Sequence, residues 1–319
     1  MNYTPSYCSV CGCTLIPVAG GEACPRCDVP AASFSQPADY VRPAPIPLEG
    51  ASYIDAVPAK DTSWGALTGY LVWAASVMLM LGLQLVALIG YGVLVDRTML
   101  VQVAGGKITP AAVVVSLISA FVAQVLTLAL CWLIVTRAGK RPFLETLGWG
   151  WSPRFRLVHA VGLTILMLGF GYVASKVLPH KQTDLDKILE MGLAVRVVLA
   201  ILATMGAPIV EEVVYRGVLY SPLERAHGVT AAVAIVTLLF WGVHVPQYLG
   251  SWAVLVSVFV LSLALTLVRA STGKLLPCVA THFFFNGVQA VGIIASSPKH
   301  AGEPVKAAVM ALLQWCGLT

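Results

Sequence analysis

Long apolar runs occupy most of the chain from about residue 64 onward. A helix needs roughly 17–25 apolar residues to cross a hydrocarbon core of about 30 Å. Seven runs are candidate spans, at 64–95, 111–136, 157–178, 193–219, 229–245, 252–268 and 277–296. A shorter run at 304–318 carries Lys306 and is expected to be an interfacial helix, with an eighth span as the alternative. The pattern predicts an all-α polytopic membrane protein with about seven to eight transmembrane helices.

Composition excludes a water-soluble fold. Of the 319 residues, 58% are hydrophobic and only 11% are charged, whereas soluble domains carry roughly 25% charged residues. The 20 Lys and Arg exceed the 15 Asp and Glu, which gives a net charge of +5. In membrane proteins basic residues collect in cytoplasmic loops. We therefore interpret the excess as topology, and expect membrane lipid and no nucleic acid as a partner.

Basic residues are unevenly distributed between the predicted loops. The loop between the second and third runs holds Arg137, Lys140, Arg141, Arg154 and Arg156. The loop after the first run holds only Arg97 and Lys107. This asymmetry predicts a cytoplasmic N-terminus, and we expect an integral protein of a bacterial cytoplasmic membrane. The mixed-charge stretch 181–190 lies on the opposite side and is interpreted as a solvated connector.

The polar N-terminal part contains no run long enough to span a bilayer. Residues 1–30 hold five of the eight cysteines, and residues 31–63 are Pro-rich, as is typical of an extended linker. Residues 64–319 form the predicted transmembrane domain.

The N-terminal cysteines form two Cys-x-x-Cys pairs, Cys8 with Cys11 and Cys24 with Cys27, separated by twelve residues. Two such pairs can place four thiolates around one structural zinc ion. In a reducing cytosol this favours a zinc ribbon over disulfides or a redox pair. Cys13 is the alternative to Cys11 as a ligand. The ribbon is expected to offer a surface for a protein partner.

Ionisable side chains occur within the predicted fourth span, where each costs roughly 2.5–3.5 kcal/mol on insertion and by default marks a functional site. Glu211 and Glu212 are adjacent, and Arg216 follows four residues after Glu212. On a helix Glu212 and Arg216 can pair, while Glu211 points about 100° away. One carboxylate is expected to be neutralised and the other to remain free.

Two further spans carry polar residues in apolar surroundings. The fifth contains His244, and the seventh contains His282 and Asn286 on one face. Polar groups in a helical bundle tend to face one another, so we expect these side chains to converge with the glutamates. Straight helices would place His244 toward the outer end of its span. A shallow hairpin around Pro246 and Gly250 would bring it inward; misplaced span boundaries are the alternative.

This set of side chains suits hydrolysis. A glutamate can take a proton from water, and His244 can hold the same water. His282 and Asn286 can donate hydrogen bonds to the oxyanion that forms when water attacks a peptide carbonyl. Two histidines and a glutamate can alternatively bind a catalytic zinc, although the sequence lacks the His-Glu-x-x-His motif of soluble zinc proteases. We expect no catalytic metal, because each polar residue has a role without one.

Three motifs follow one another on three hydrophobic helices: Glu211-Glu212-x-x-x-Arg216, Phe240-x-x-x-His244 and His282-x-x-x-Asn286. Together they resemble the CPBP family, which comprises the type II CAAX prenyl endopeptidases, bacteriocin-processing and bacteriocin-immunity proteins and related bacterial membrane proteins. The resemblance covers a core at about 193–296. The N-terminal cysteines are not part of that family core.

The resemblance implies an intramembrane endopeptidase that cleaves a membrane-associated peptide or protein, prenylated or not. It assigns water activation to Glu211, with Glu212 and Arg216 in the paired positions beside it. It makes His244 the helper of that water, and His282 with Asn286 the pair that stabilises the oxyanion. Both a metal-dependent and a metal-free glutamate mechanism are described for the family, and we favour the latter.

Two other function classes fit parts of the pattern. Intramembrane charges also mark transport pathways, but the polar residues cluster on three helices and do not recur in both halves of the chain. A non-catalytic membrane adaptor or immunity protein, binding a partner through its zinc ribbon, is the stronger alternative to a peptidase.

Overall fold

A computed structural model describes strand residues 16–18 and 21–23 and the continuous segments 64–179 and 181–295. The proposed zinc ligands Cys8, Cys11, Cys24 and Cys27, the linker at 31–63 and the run at 304–318 lie outside the described residues. The chain divides into two compact units, Met1–Ser52 and Tyr53–Thr319.

The first unit contains a short antiparallel hairpin. Strand β1, Ile16–Val18, pairs with β2, Gly21–Ala23, so that Ile16 lies opposite Ala23. The hairpin falls between the two Cys-x-x-Cys pairs in the sequence.

The described part of the second unit consists of helices and their connections. Its helices are α1 Ala66–Leu94, α2 Arg97–Ala104, α3 Pro110–Thr136, α4 Phe143–Thr146, α5 Leu157–Val177, α6 Asp184–Leu189, α7 Leu193–Ile201, α8 Ala207–Glu212, α9 Tyr220–His244, α10 Trp252–Thr272 and α11 Leu276–Ala295. Two π-helical segments, Leu202–Gly206 and Val213–Leu219, follow α7 and α8.

Within the described residues six helices are long and apolar enough to cross a membrane. One of them, Leu193–His244, is 52 residues long, more than twice the roughly 20 residues that a span requires. It breaks at Gly228, whose φ of 80° and ψ of 168° are not helical. The predicted fourth and fifth runs are the two parts of this element. The prediction of an all-α polytopic membrane protein is confirmed.

The outer surface of the bundle is apolar. On α1 the side chains of Leu71, Met78 and Leu81 are 60–67% exposed. A continuous exposed apolar face of this kind is unfavourable in water and suits contact with lipid chains.

Hydrogen bonds between connecting segments define two ends of the bundle. At the first end, the Leu275 amide donates to the Gly148 carbonyl across 3.1 Å. At the second end, the Trp252 amide donates to the Pro179 carbonyl across 3.2 Å. The basic loop at 137–156 therefore lies at the first end, and α6 lies at the second.

The core surrounds the second π-helical segment. Val218, Leu219 and Tyr220 are at most 1% exposed and belong to the largest buried apolar cluster among the described residues. The Trp64 indole donates to the Val218 carbonyl across 2.8 Å, which joins the start of α1 to this segment. The candidate residues Glu212 and Arg216 are thus fully buried beside this cluster.

Candidate active site

Glu211 and Glu212 end α8, a short helix between the two π-helical segments. A π turn contains more residues than an α turn and often occurs at functional sites. Gly217 lies inside the second segment, and a Cβ there would be 3.0 Å from Leu147 Cδ2. The absence of a side chain at this position lets the segment approach Leu147 closely.

Glu212 and Arg216 form a fully buried ion pair, as their spacing allows. Arg216 Nη1 donates to Glu212 Oε1 across 2.9 Å, and both side chains are 0% exposed. Arg216 Nη2 also donates to the Ser262 carbonyl and hydroxyl oxygens, at 2.9 and 3.0 Å. Its Cζ lies 4.7 Å from the centre of the Phe240 ring. The guanidinium group is therefore solvated by the protein, as a buried charge requires.

His282 bridges the two glutamates. Its Nδ1 lies 2.9 Å from Glu212 Oε1, and its Nε2 lies 3.9 Å from Glu211 Oε2. Glu212 Oε1 also accepts from Arg216. A carboxylate oxygen in such a pair accepts hydrogen bonds, so Nδ1 of His282 is the donor. In the neutral ring Nε2 then presents a lone pair toward Glu211.

His244 has the same tautomer. Its Nδ1 lies 2.7 Å from the Phe240 carbonyl oxygen. A carbonyl oxygen only accepts, so Nδ1 donates and Nε2 is unprotonated in the neutral ring. The imidazole is held between two aromatic rings, with centroid distances of 4.7 Å to Phe240 and 6.4 Å to Tyr248.

Asn286 binds a neighbouring helix. Its Nδ2 donates to the Ala203 carbonyl oxygen across 2.8 Å, inside the first π-helical segment. This bond uses one of the two N–H groups of the amide. Asn286 thus helps to fix the segment that precedes α8.

Four of the six predicted site residues line one cavity of about 400 Å³, namely Glu211, His244, His282 and Asn286. Glu212 and Arg216 lie behind its wall, where they are fully buried. The predicted convergence is present. α9 ends at His244, and a turn with Gly250 at φ 93° leads into α10, so His244 reaches the cavity from the end of its helix.

The residues present do not fit a three-ligand metal site. Glu211, His244 and His282 all face the cavity. Across segments 64–179 and 181–295, however, no three His, Cys, Asp or Glu side chains are arranged to hold a metal ion.

Residues 193–288 match the family model described as type II CAAX prenyl endopeptidase Rce1-like. These residues form an Rce1-like domain of the CPBP family. The match runs from α7 into α11 and includes all six predicted site residues. Neither the comparison with curated proteins nor that with solved structures finds a match. The family supports a protease class for the Rce1-like domain.

The cavity of the Rce1-like domain is also lined by residues that the sequence did not predict to belong to the site. Asp186 and Thr183 line it from the stretch interpreted as a solvated connector. That interpretation is wrong for Asp186, which is 5% exposed. Asp186 accepts from the Thr183 amide and hydroxyl at 2.6 and 2.9 Å. This is a capping box at the start of α6, and the Thr-x-x-Asp spacing was its signal in the sequence.

Tyr248 is the second missed residue. It lies in the turn between α9 and α10 and lines the cavity beside His244. Burial, reinforced by the negative charges of Glu211 and Asp186, raises the pKa of Tyr248 to about 12. The phenol is therefore neutral at physiological pH and keeps its proton. Nothing in the local sequence distinguishes this tyrosine from an ordinary turn residue.

Proposed function

We propose that the chain is an intramembrane endopeptidase in which Glu211 activates the water that hydrolyses a peptide bond. The observation that carries this proposal is the different state of two adjacent glutamates. Glu212 is occupied by Arg216 and His282, whereas Glu211 faces the cavity with its side chain 27% exposed. A base must be within reach of the water that it deprotonates, and only Glu211 of the two is so placed.

Hydrolysis would proceed in two proton steps. Water attacks the peptide carbonyl carbon, its proton passes to Glu211, and the carbonyl π electrons move to the oxygen. The tetrahedral intermediate then collapses, the C–N bond breaks, and Glu211 returns the proton to the departing amine. His282 Nε2, 3.9 Å from Glu211 Oε2, and His244 border the space for this water.

The cavity walls favour a substrate with apolar groups. Met167, Leu168 and Leu261 line the cavity alongside the polar residues. A bilayer-embedded site of this kind suits a membrane-associated peptide, and its apolar wall can accept hydrophobic side chains or a prenyl chain. Matched prenylated and unprenylated peptides would distinguish the two.

The test is cleavage of a quenched fluorescent peptide library by the detergent-purified protein, with and without a chelator. We expect cleavage that survives chelation, because the mechanism uses the glutamate and no metal. Loss of cleavage on chelation in the Cys24→Ser variant, which lacks the proposed ribbon zinc, with recovery on adding Zn²⁺, would contradict the metal-free mechanism. If no library member is cleaved, the proposal gives way to a non-catalytic adaptor or immunity protein.

We also propose that the chain lies in a bacterial cytoplasmic membrane with its N-terminus in the cytoplasm. The basic residues at 137–156 support this orientation. The first end of the bundle would then be cytoplasmic. The cavity, which is lined by α6 and the α9–α10 turn, would extend toward the other face.

Single-cysteine labelling tests this orientation. Arg154 and Lys187 are both exposed and lie on either side of α5. In intact cells, we expect a membrane-impermeant maleimide to modify Lys187→Cys and not Arg154→Cys, with the labelled peptide identified by mass spectrometry. Both variants should react after the cells are lysed. The reverse pattern would place the N-terminus outside.

A structural zinc ion bound by Cys8, Cys11, Cys24 and Cys27 is a further proposal, supported by the hairpin between the two pairs. We expect one zinc per purified chain by elemental analysis. Cys24→Ser should lose it, because three thiolates leave the tetrahedral site incomplete. Cys13→Ser is the matched control and should retain it. Zinc loss in Cys13→Ser but not in Cys11→Ser would assign the fourth ligand to Cys13.

A further inference from the structure

Hydrolysis at this cavity needs hydrogen-bond donors for the oxyanion, and the predicted pair, His282 and Asn286, is already partly engaged in other hydrogen bonds. Both histidine rings already use their Nδ1 protons, His282 toward Glu212 and His244 toward the Phe240 carbonyl. In the neutral form their Nε2 atoms accept and do not donate. Donation by His282 would thus require an imidazolium ring. Asn286 has one N–H bound to Ala203, and its second N–H can still donate. One further donor in the cavity would complement it.

Tyr248 is a neutral donor in the same cavity. Its ring lies parallel to that of His244, at an interplanar angle of 5° and a centroid distance of 6.4 Å. Glu211 lines the same cavity. Within the part of the chain that the structure describes, no hydrogen bond to the phenolic hydroxyl is found. Its backbone is held at both sides, since its amide donates to His244 and its carbonyl accepts from Ser251.

We propose that Tyr248 is a further catalytic residue, whose phenolic O–H donates a hydrogen bond to the substrate carbonyl oxygen as it becomes the oxyanion. This inference rests on the proposed peptidase function. The phenol transfers no proton: the proton of the attacking water goes to Glu211, and Tyr248 keeps its own. A donor fixed before the reaction stabilises the developing charge without reorganisation.

The fixed position follows from the packing. His244 is anchored through Phe240, and Tyr248 stacks on the other side of its ring. The three aromatic groups thus form a row from the core to the cavity. His244 and Tyr248 line the same cavity as Glu211 and His282.

Tyr248→Phe tests the proposal because phenylalanine keeps the ring and removes only the hydroxyl. Loss of one oxyanion donor costs about 10²–10³ in rate. We expect kcat to fall by about 10²-fold, with KM and the thermal unfolding midpoint near wild type. The matched control is Tyr172→Phe, on α5 next to Lys176 and not among the cavity-lining residues, which should leave kcat unchanged.

The outcomes separate this inference from the function on which it rests. If the wild-type protein cleaves peptides and Tyr248→Phe cleaves with an unchanged kcat, the role of Tyr248 is overturned while the peptidase remains. If Tyr248→Phe raises KM and leaves kcat unchanged, the hydroxyl binds substrate and does not stabilise the oxyanion. If the wild-type protein cleaves nothing, the proposed function itself fails.

Discussion

Glu211→Gln is expected to reduce peptide cleavage by about 10³–10⁴-fold while the protein remains folded. Glutamine has nearly the same shape but cannot take a proton from water, and a positioned general base contributes up to roughly 10⁴ in rate. Glu211 lines the cavity, and its Oε2 lies 3.9 Å from His282 Nε2. Its replacement should therefore disturb packing little. Initial cleavage rates and the thermal unfolding midpoint, measured on one preparation, check both parts.

Glu190→Gln is the matched control for this variant. Glu190 is an exposed carboxylate that accepts a hydrogen bond from Gln182, and it is not among the residues that line the cavity. We expect its activity to equal wild type. Full activity in Glu211→Gln would show that water is activated by another group, and the proposed mechanism would then be wrong.

Helical spacing was sufficient to predict which of the two glutamates is paired. Four residues separate Glu212 from Arg216, and this spacing brings side chains together on a helix. The structure pairs them at 2.9 Å and leaves Glu211 at the cavity. The pairing of Glu212 with Arg216 is present although Arg216 lies in a π-helical segment. Patterns that depend on near neighbours in the chain are thus the ones the sequence predicts well.

Features that depend on tertiary packing were not predictable in this way. No sequence pattern predicts the π-helical segments on either side of α8. They contain Gly206 and Gly217, but glycine also occurs in ordinary α-helices. The cavity position of Tyr248 depends on the path of the α9–α10 turn. The Asn286 bond to Ala203 likewise depends on how α11 packs against the first π-helical segment.

The charged residues at 181–190, before α7, led to an interpretation that is wrong for one residue. Lys181, Asp184, Lys187 and Glu190 give this stretch the composition of a solvated connector. Asp186 is nevertheless buried, because its carboxylate is satisfied by Thr183 at the start of α6. A local capping pattern therefore outweighed the average polarity of the segment.

Arg216→Met is expected to destabilise the fold by about 3–5 kcal/mol, the cost of removing one partner of a buried ion pair. Glu212 is 0% exposed, and Arg216 Nη1 lies 2.9 Å from its Oε1. Glu212 Oε2 already lacks a hydrogen-bond partner among the described residues. Without Arg216 the carboxylate would keep only His282 as a donor. Denaturant unfolding in detergent, followed by tryptophan fluorescence, measures the change.

Two comparison variants test whether the unpaired charge of Glu212 causes the loss of stability in Arg216→Met. Lys187→Met removes an ion pair of similar length, 2.8 Å to Asp184, but with side chains that are 50% and 77% exposed. Exposed pairs contribute about 0.2–1 kcal/mol, so this variant should be nearly as stable as wild type. In the double variant Glu212→Gln/Arg216→Met no buried charge is left unpaired, so part of the loss should be recovered. If the double variant is as unstable as Arg216→Met, the loss comes from the packing of the guanidinium against Phe240 and Ser262, and the charge of Glu212 is not its source.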